Sequence, residues 1–211
     1  MACLFGFAQV LHSNPPGSIG QISLENNHFS TYFSVMLNPA FSQFKVLLET
    51  TELAPLGPGP RPGVLPRDEL LAKLGALFSD AKIAGQRQQL ITALILLWHD
   101  HLDASHSIAQ EIENADGSFL HGIMHRREPD YGNAKYWFRR TGSHPAFPEI
   151  ARRVKALPSP GLGQLDYDTW DPYAFIDACQ KFAGSQNKSA TDFLQQVQQF
   201  ESVVVLEHFL S

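Results

Sequence analysis

From position 67 onward, apolar residues recur at intervals of three and four, the spacing that places them on one side of an α-helix. Leu70, Leu71, Leu74 and Leu77 form the first stripe. Asp68 and Glu69 follow Pro66 at its start, where the helix dipole favours negative charge. Leu90, Ile91, Leu94, Ile95 and Trp98 form the second, which predicts one helix from about Gln86 to Glu113. Asn114-Ala115-Asp116-Gly117 is a turn signal. A third helix is expected over Ser118 to Arg127, ending near Pro129. Further helices are expected over Asn133–Arg140, Pro145–Leu157, Pro172–Phe182 and Thr191–Leu210. No pair of alternating β runs is joined by a hairpin turn, and no repeat of fixed period occurs. The expected fold class is all-α, an irregular multi-helix bundle over residues 66–211.

Ahead of this region the pattern changes. Residues 53–66 read LAPLGPGPRPGVLP, with five prolines and three glycines. Neither a helix interior nor a central strand tolerates that density, so the stretch reads as a linker before a compact domain. Residues 1–65 are therefore expected to be a poorly structured or disordered N-terminal arm ending in a low-complexity Pro/Gly linker. The Ala2–Leu11 run is apolar, but no Lys or Arg precedes it, so it lacks the charged start of a secretory signal.

Composition narrows the function classes. The 211-residue chain carries 16 Lys+Arg against 21 Asp+Glu, a formal net charge of -5. A general nucleic-acid binder has the opposite balance. The two cysteines, Cys3 and Cys179, exclude a disulfide framework and a cysteine-based zinc site. No apolar run is long enough to span a bilayer, and a cytoplasmic location is the default expectation. The surplus is in histidine: six of the nine lie between His99 and His144.

Those histidines are patterned. His99, Asp103 and His106 stand at i, i+4 and i+7, and so do His121, His125 and Glu128. Such positions share one side of a helix. Folded as an antiparallel hairpin about Ala115–Asp116, the two helices bring His106 level with His125 and Asp103 level with Glu128. Imidazole and carboxylate are suitable ligands for a divalent metal such as Zn, Mn or Fe, and bundles build such sites from facing helices. Trp98 to Ser118 holds five acidic residues and no Lys or Arg, a field that favours a cation. The expected metal ligands are His99, Asp103, His106, His121 and His125, with His106, His125 and Glu128 as catalytic groups. Against this, both stripes lie roughly opposite the apolar sides marked by Leu94, Leu102 and Ile112 and by Leu120, Ile123 and Met124. An ordinary solvated face is the competing reading. His101 falls on the apolar side and reads as a core histidine. The His-x-x-x-His at 121–125 has Gly122 where the zinc-protease motif needs its Glu base, so that mechanism is excluded.

The next segment reverses the charge. Between His121 and Lys155, eight basic residues face only Glu128, Asp130 and Glu149, a local sum of +5. Tyr131, Tyr136, Trp137 and Phe138 are interleaved with them. Guanidinium forks grip phosphate or carboxylate, so Arg126, Arg127, Lys135, Arg139, Arg140 and Tyr131 are the expected binders of a small anionic ligand. Basic residues at helix C-termini are also favoured by the dipole alone. The block HGIMHRREPDYGNAKYWFRRTGSHPAF, His121 to Phe147, resembles one found in bacterial and fungal proteins of no established activity, and WHDHLDASHSIAQ, Trp98 to Gln110, travels with it. The resemblance covers about a quarter of the chain. It implies that residues 98–147 form a coherent unit with residues 1–65 as an accessory, and it carries over no catalytic residue.

The chain is thus expected to be a metal-assisted or acid–base enzyme acting on a small anionic substrate at a His/Asp/Glu face of a helix hairpin. The alternative is a non-catalytic helical module that binds a protein partner or a second copy of itself.

Overall fold

The computed structural model describes residues 39–158 and 168–211. The Ala2–Leu11 run and the rest of residues 1–38 lie outside these. The described residues form nine α-helices and no strand: α1 (Pro39–Lys45), α2 (Arg67–Ala81), α3 (Gly85–Trp98), α4 (Leu102–Ala109), α5 (Ala115–Arg127), α6 (Tyr131–Thr141), α7 (Phe147–Lys155), α8 (Pro172–Phe182) and α9 (Lys188–Leu210). A short 3-10 turn, Val46–Leu48, follows α1. None of these helices is long and apolar enough to cross a membrane.

Two helices form the centre. Residues Leu90, Ile91 and Ala93 to Trp98 of α3 are all buried, so α3 is apolar nearly all round, as an interior helix must be. It packs against α2, α4, α5 and α9. In α5, every residue from Gly117 to Arg127 is buried, including two histidines and two arginines. That helix forms its most extensive contact with α6. Gly122 permits the approach, because a Cβ there would stand 2.7 Å from the Phe138 ring of α6. Asn114 caps α5 by accepting from the Gly117 N–H at 2.9 Å, and Asp130 caps α6 by accepting from Asn133.

Residues 39–65 do not behave as an arm. Phe41, Phe44, Leu48, Ala54 and Leu56 are buried in the same hydrophobic cluster as α2, α3 and α9. The expectation of a loose segment up to residue 65 is corrected over this stretch. α1 and the 3-10 turn are too short to show a helical period, yet Phe41 and Phe44 of α1 and Leu48 of the turn are buried. The Pro/Gly stretch follows the body of the protein, with Arg61 7% exposed.

The expected single helix over 86–113 is also corrected. It breaks at His99–His101 in a Schellman turn. Asp100 adopts the left-handed conformation, with φ 65°. Its N–H donates to Leu97 O at 3.2 Å, and the His101 N–H reaches back to Leu96 O at 2.9 Å. Glycine usually fills that position, and a residue with a Cβ is strained there. Side-chain pairing offsets the strain. Asp100 Oδ1 accepts from Arg61 Nη1 at 2.5 Å and from Arg127 Nη2 at 2.6 Å, and Oδ2 accepts from the Arg61 N–H at 2.9 Å. The three side chains are 1–5% exposed. Gly59, with φ +84°, lies against this carboxylate; a Cβ there would come within 2.7 Å of it. Replacing Asp100 with Ala leaves two buried guanidiniums without their counter-ion. It is expected to cost at least about 3–5 kcal/mol, measured by urea unfolding, with Asp100→Asn costing less because its amide oxygen still accepts.

Candidate functional site

Breaking the helix redirects its polar residues. His99, on the α3 side of the break, turns inward: its Nδ1 accepts from the Leu65 N–H at 3.1 Å and its Nε2–H donates to Leu47 O at 2.9 Å. Both ring nitrogens are occupied, so the expected ligand His99 is a structural histidine. His101 also ties down the linker, with Nε2 2.8 Å from Leu65 O. Asp103 is exposed in the first turn of α4 and does not meet the histidines of α5. The i, i+4, i+7 stripe fails because its first member belongs to a different helix from the other two.

The rest of the predicted constellation does come together. His106 on α4 meets His121 and His125 on α5, with one potential ligand nitrogen from each lying within 4.8 Å of the others. The ring centroids are 4.6 Å apart for His106–His121, 5.4 Å for His106–His125 and 4.8 Å for His121–His125. The two α5 rings stack because they are one turn apart. His125 Nδ1–H donates to Glu128 Oε2 at 3.1 Å, and its Nε2 lies 3.0 Å from Asn133 Nδ2 of α6. Trp137 lies flat on His121, 3.7 Å between centroids and 14° between planes. His121 Nδ1 is buried and has no hydrogen-bond partner among the described residues. A buried polar atom left unpaired costs about 1–3 kcal/mol, so this nitrogen calls for an explanation.

Burial pushes the His121 pKa down to about 3, helped by the neighbouring His106 and His125. Burial also lowers that of His125, against the opposing pull of Glu128. His121 and His125 are thus held neutral, the form in which a histidine is a ligand or a base.

The basic residues divide. Arg126 is fully buried in a bidentate pair with Glu201, at 3.1 and 2.5 Å, and lies over the Phe175 ring. Arg127 is spent on Asp100, Gly57 O and Leu97 O. The expectation that these two bind an anion is corrected: α5 is covered on all sides, so its arginines pair inside the protein. Lys135 pairs with Asp177 of α8 at 2.5 Å. Tyr131 packs against the core, and burial raises its pKa. Arg139 and Arg140 are exposed, and Arg140 lies 5.4 Å above the Trp137 ring.

Asn133 was not singled out by sequence, and Trp137 was named only as one of the aromatics interleaved with the basic residues. Their signal was their spacing, since Asn133, Trp137 and Arg140 follow the same i, i+4, i+7 rule on α6. A second cluster was also missed. Asp116, His144 and His208 converge within 4.8 Å from sites far apart in sequence. It is not a metal site. His144 Nδ1 accepts from the Ala146 N–H at 3.1 Å, so its proton is on Nε2, which donates to Asp116 Oδ1 at 2.8 Å. No lone pair is left on Nε2 for a metal. His208 donates to the same oxygen at 3.0 Å. These bonds hold the Asp116 carboxyl well below its ordinary range, and they tie α5 to the end of α9.

The pH dependence of folding follows from the neutral histidines. His99 and His121 have folded-state pKa values below their ordinary 6.5. The unfolded chain therefore takes up protons first, and stability is lost as pH falls below 6.5 toward the lowered values. Each such group contributes a slope of up to about 1.4 kcal/mol per pH unit. Urea unfolding of the metal-free protein between pH 7 and 5 is expected to show this decline, and His121→Gln to reduce its slope.

No family model, curated protein or solved structure matches the chain, so a functional assignment rests on the chemistry of these side chains.

Proposed function

We propose that His106, His121 and His125 hold a divalent metal, zinc by preference, at which water is activated for hydrolysis. The observation that carries this reading is His121, whose buried Nδ1 is unpartnered among the described residues and whose ring lies beside two other imidazoles. A metal ion supplies the missing partner. An all-imidazole set suits Zn or another late first-row ion better than Mn, Mg or Ca, which prefer oxygen. The tautomer of His125 supports the same reading, since donation to Glu128 leaves its Nε2 lone pair free to coordinate once Asn133 moves aside. A carboxylate behind a ligating imidazole orients it and raises its basicity. Three protein ligands leave a fourth position for water, whose pKa a bound zinc lowers to about 7.

A second reading uses the same residues without a metal. The 3.1 Å His125–Glu128 pair is a base with an orienting carboxylate, the arrangement of general-base catalysis. It leaves His121 Nδ1 unexplained, which is why the metal reading stands first.

Calorimetric titration of chelator-stripped full-length protein, purified without a His tag, separates the two. The metal reading predicts one zinc per chain and a higher thermal midpoint, with roughly 2.7 kcal/mol of added stability at a hundredfold excess over Kd. His106→Ala and His121→Ala should abolish both while keeping the helical signal. A protein whose stability ignores zinc refutes the metal reading and leaves the base.

A further inference from the structure

The substrate class of this centre is legible in the stripe of α6 that runs beside it. Asn133 touches His125, Trp137 stacks on His121, and Arg140 lies over Trp137. The three occupy successive turns of one helix face. The stripe therefore leads from a site histidine to an exposed guanidinium in two contacts, 3.7 Å and then 5.4 Å between centres. Of the basic residues expected to bind an anion, Arg126, Arg127 and Lys135 are already paired with carboxylates. Arg140 has no ion pair among the described residues, and Arg139, one position away, lies off the stripe.

We infer that Arg140, held by the Trp137 ring, is the recognition group for a small oxyanion-bearing substrate, a phosphate or a carboxylate, whose reactive bond lies at the three-histidine centre. A guanidinium resting on an indole face keeps its N–H fork free to grip two oxygens at once. Stacking also restrains the long side chain before the ligand arrives, which lowers the entropic cost of binding. The centre is built from three imidazoles, with Glu128 and Asn133 against His125, and none of these side chains carries a permanent positive charge. Arg140 and a bound ion would therefore supply the two charges that position an anionic molecule, one at its oxyanion and one at the atom to be attacked. Trp137 joins the two, so it is a positioning residue for both.

This inference rests on the metal reading, and its test keeps the two apart. Full-length protein is loaded with cobalt(II), whose visible spectrum reports the metal's own surroundings, and is titrated with inorganic phosphate and, separately, with acetate. The expected result is a spectral change that saturates with one anion per chain. Arg140→Gln should weaken that anion at least about tenfold, the loss of one charge-assisted contact, with cobalt affinity unchanged. Arg140→Lys should fall between, and Arg139→Gln should stay within about twofold of the parent. The tighter of the two probes identifies whether the oxyanion is a phosphate or a carboxylate. The inference is overturned if cobalt binds normally and Arg140→Gln leaves anion affinity unchanged, or if Arg139→Gln weakens it equally. Failure of cobalt to bind removes the metal reading and this inference with it.

Discussion

The fold turns on one buried carboxylate. Asp100 sits in the left-handed position of a helix-ending turn and is held by the side chains of Arg61 and Arg127. One guanidinium comes from the Pro/Gly stretch ahead of α2 and the other from the end of α5. Their meeting point is where the long apolar helix stops. Without that stop, α4 would continue the line of α3 and carry His106 away from α5. The same clamp draws residues 57–65 over the top of α3, where His99 and His101 bind their backbone. Charges this deep in a protein do little for net stability compared with apolar packing, but they penalise any arrangement that separates them.

That clamp was the part the sequence hid. Helix ends are usually read from Gly or Pro, and WHDHLD contains neither. The partners of Asp100 lie 39 and 27 residues away, and no local pattern joins them. The amphipathic stripes of α2, α6, α7 and α8 were legible because each has one apolar side. The Asn114 turn was legible because its side chain has a local job, capping α5. Three of the six residues expected at the centre, His106, His121 and His125, meet as the hairpin register predicted, and Glu128 joins them by bonding to His125. His99 and Asp103 do not. The arginines of α5 were misread for a related reason. A wheel with one apolar side implies a solvated opposite side, whereas α5 is covered by α4, α6, α9 and the chain near Gly57, so its arginines pair with carboxylates inside.

Two clusters of similar composition lie on α5, and hydrogen-bond accounting tells them apart. Around Asp116 both ring nitrogens of His144 are engaged, its tautomer is fixed by a backbone N–H, and His208 shares the same carboxylate oxygen. That cluster has no buried orphan among its side-chain atoms, and it holds α9 against the start of α5. Around His121 the accounting does not close. His125 is satisfied by Glu128 and Asn133, but the buried His121 Nδ1 has no partner among the described residues. The flat contact with Trp137 prevents the ring from turning away without losing its stacking. An interior normally resolves such a deficit with water, an ion or a substitution, and the two neighbouring imidazoles make an ion the most suitable occupant.

X-ray absorption at the zinc edge of the zinc-loaded full-length protein tests this most directly. The account predicts a four-coordinate metal with three imidazole nitrogens at about 2.0–2.1 Å and one further light-atom ligand, and loss of imidazole scattering in His121→Ala. A spectrum without multiple imidazole scattering, or one unchanged in that variant, would contradict it.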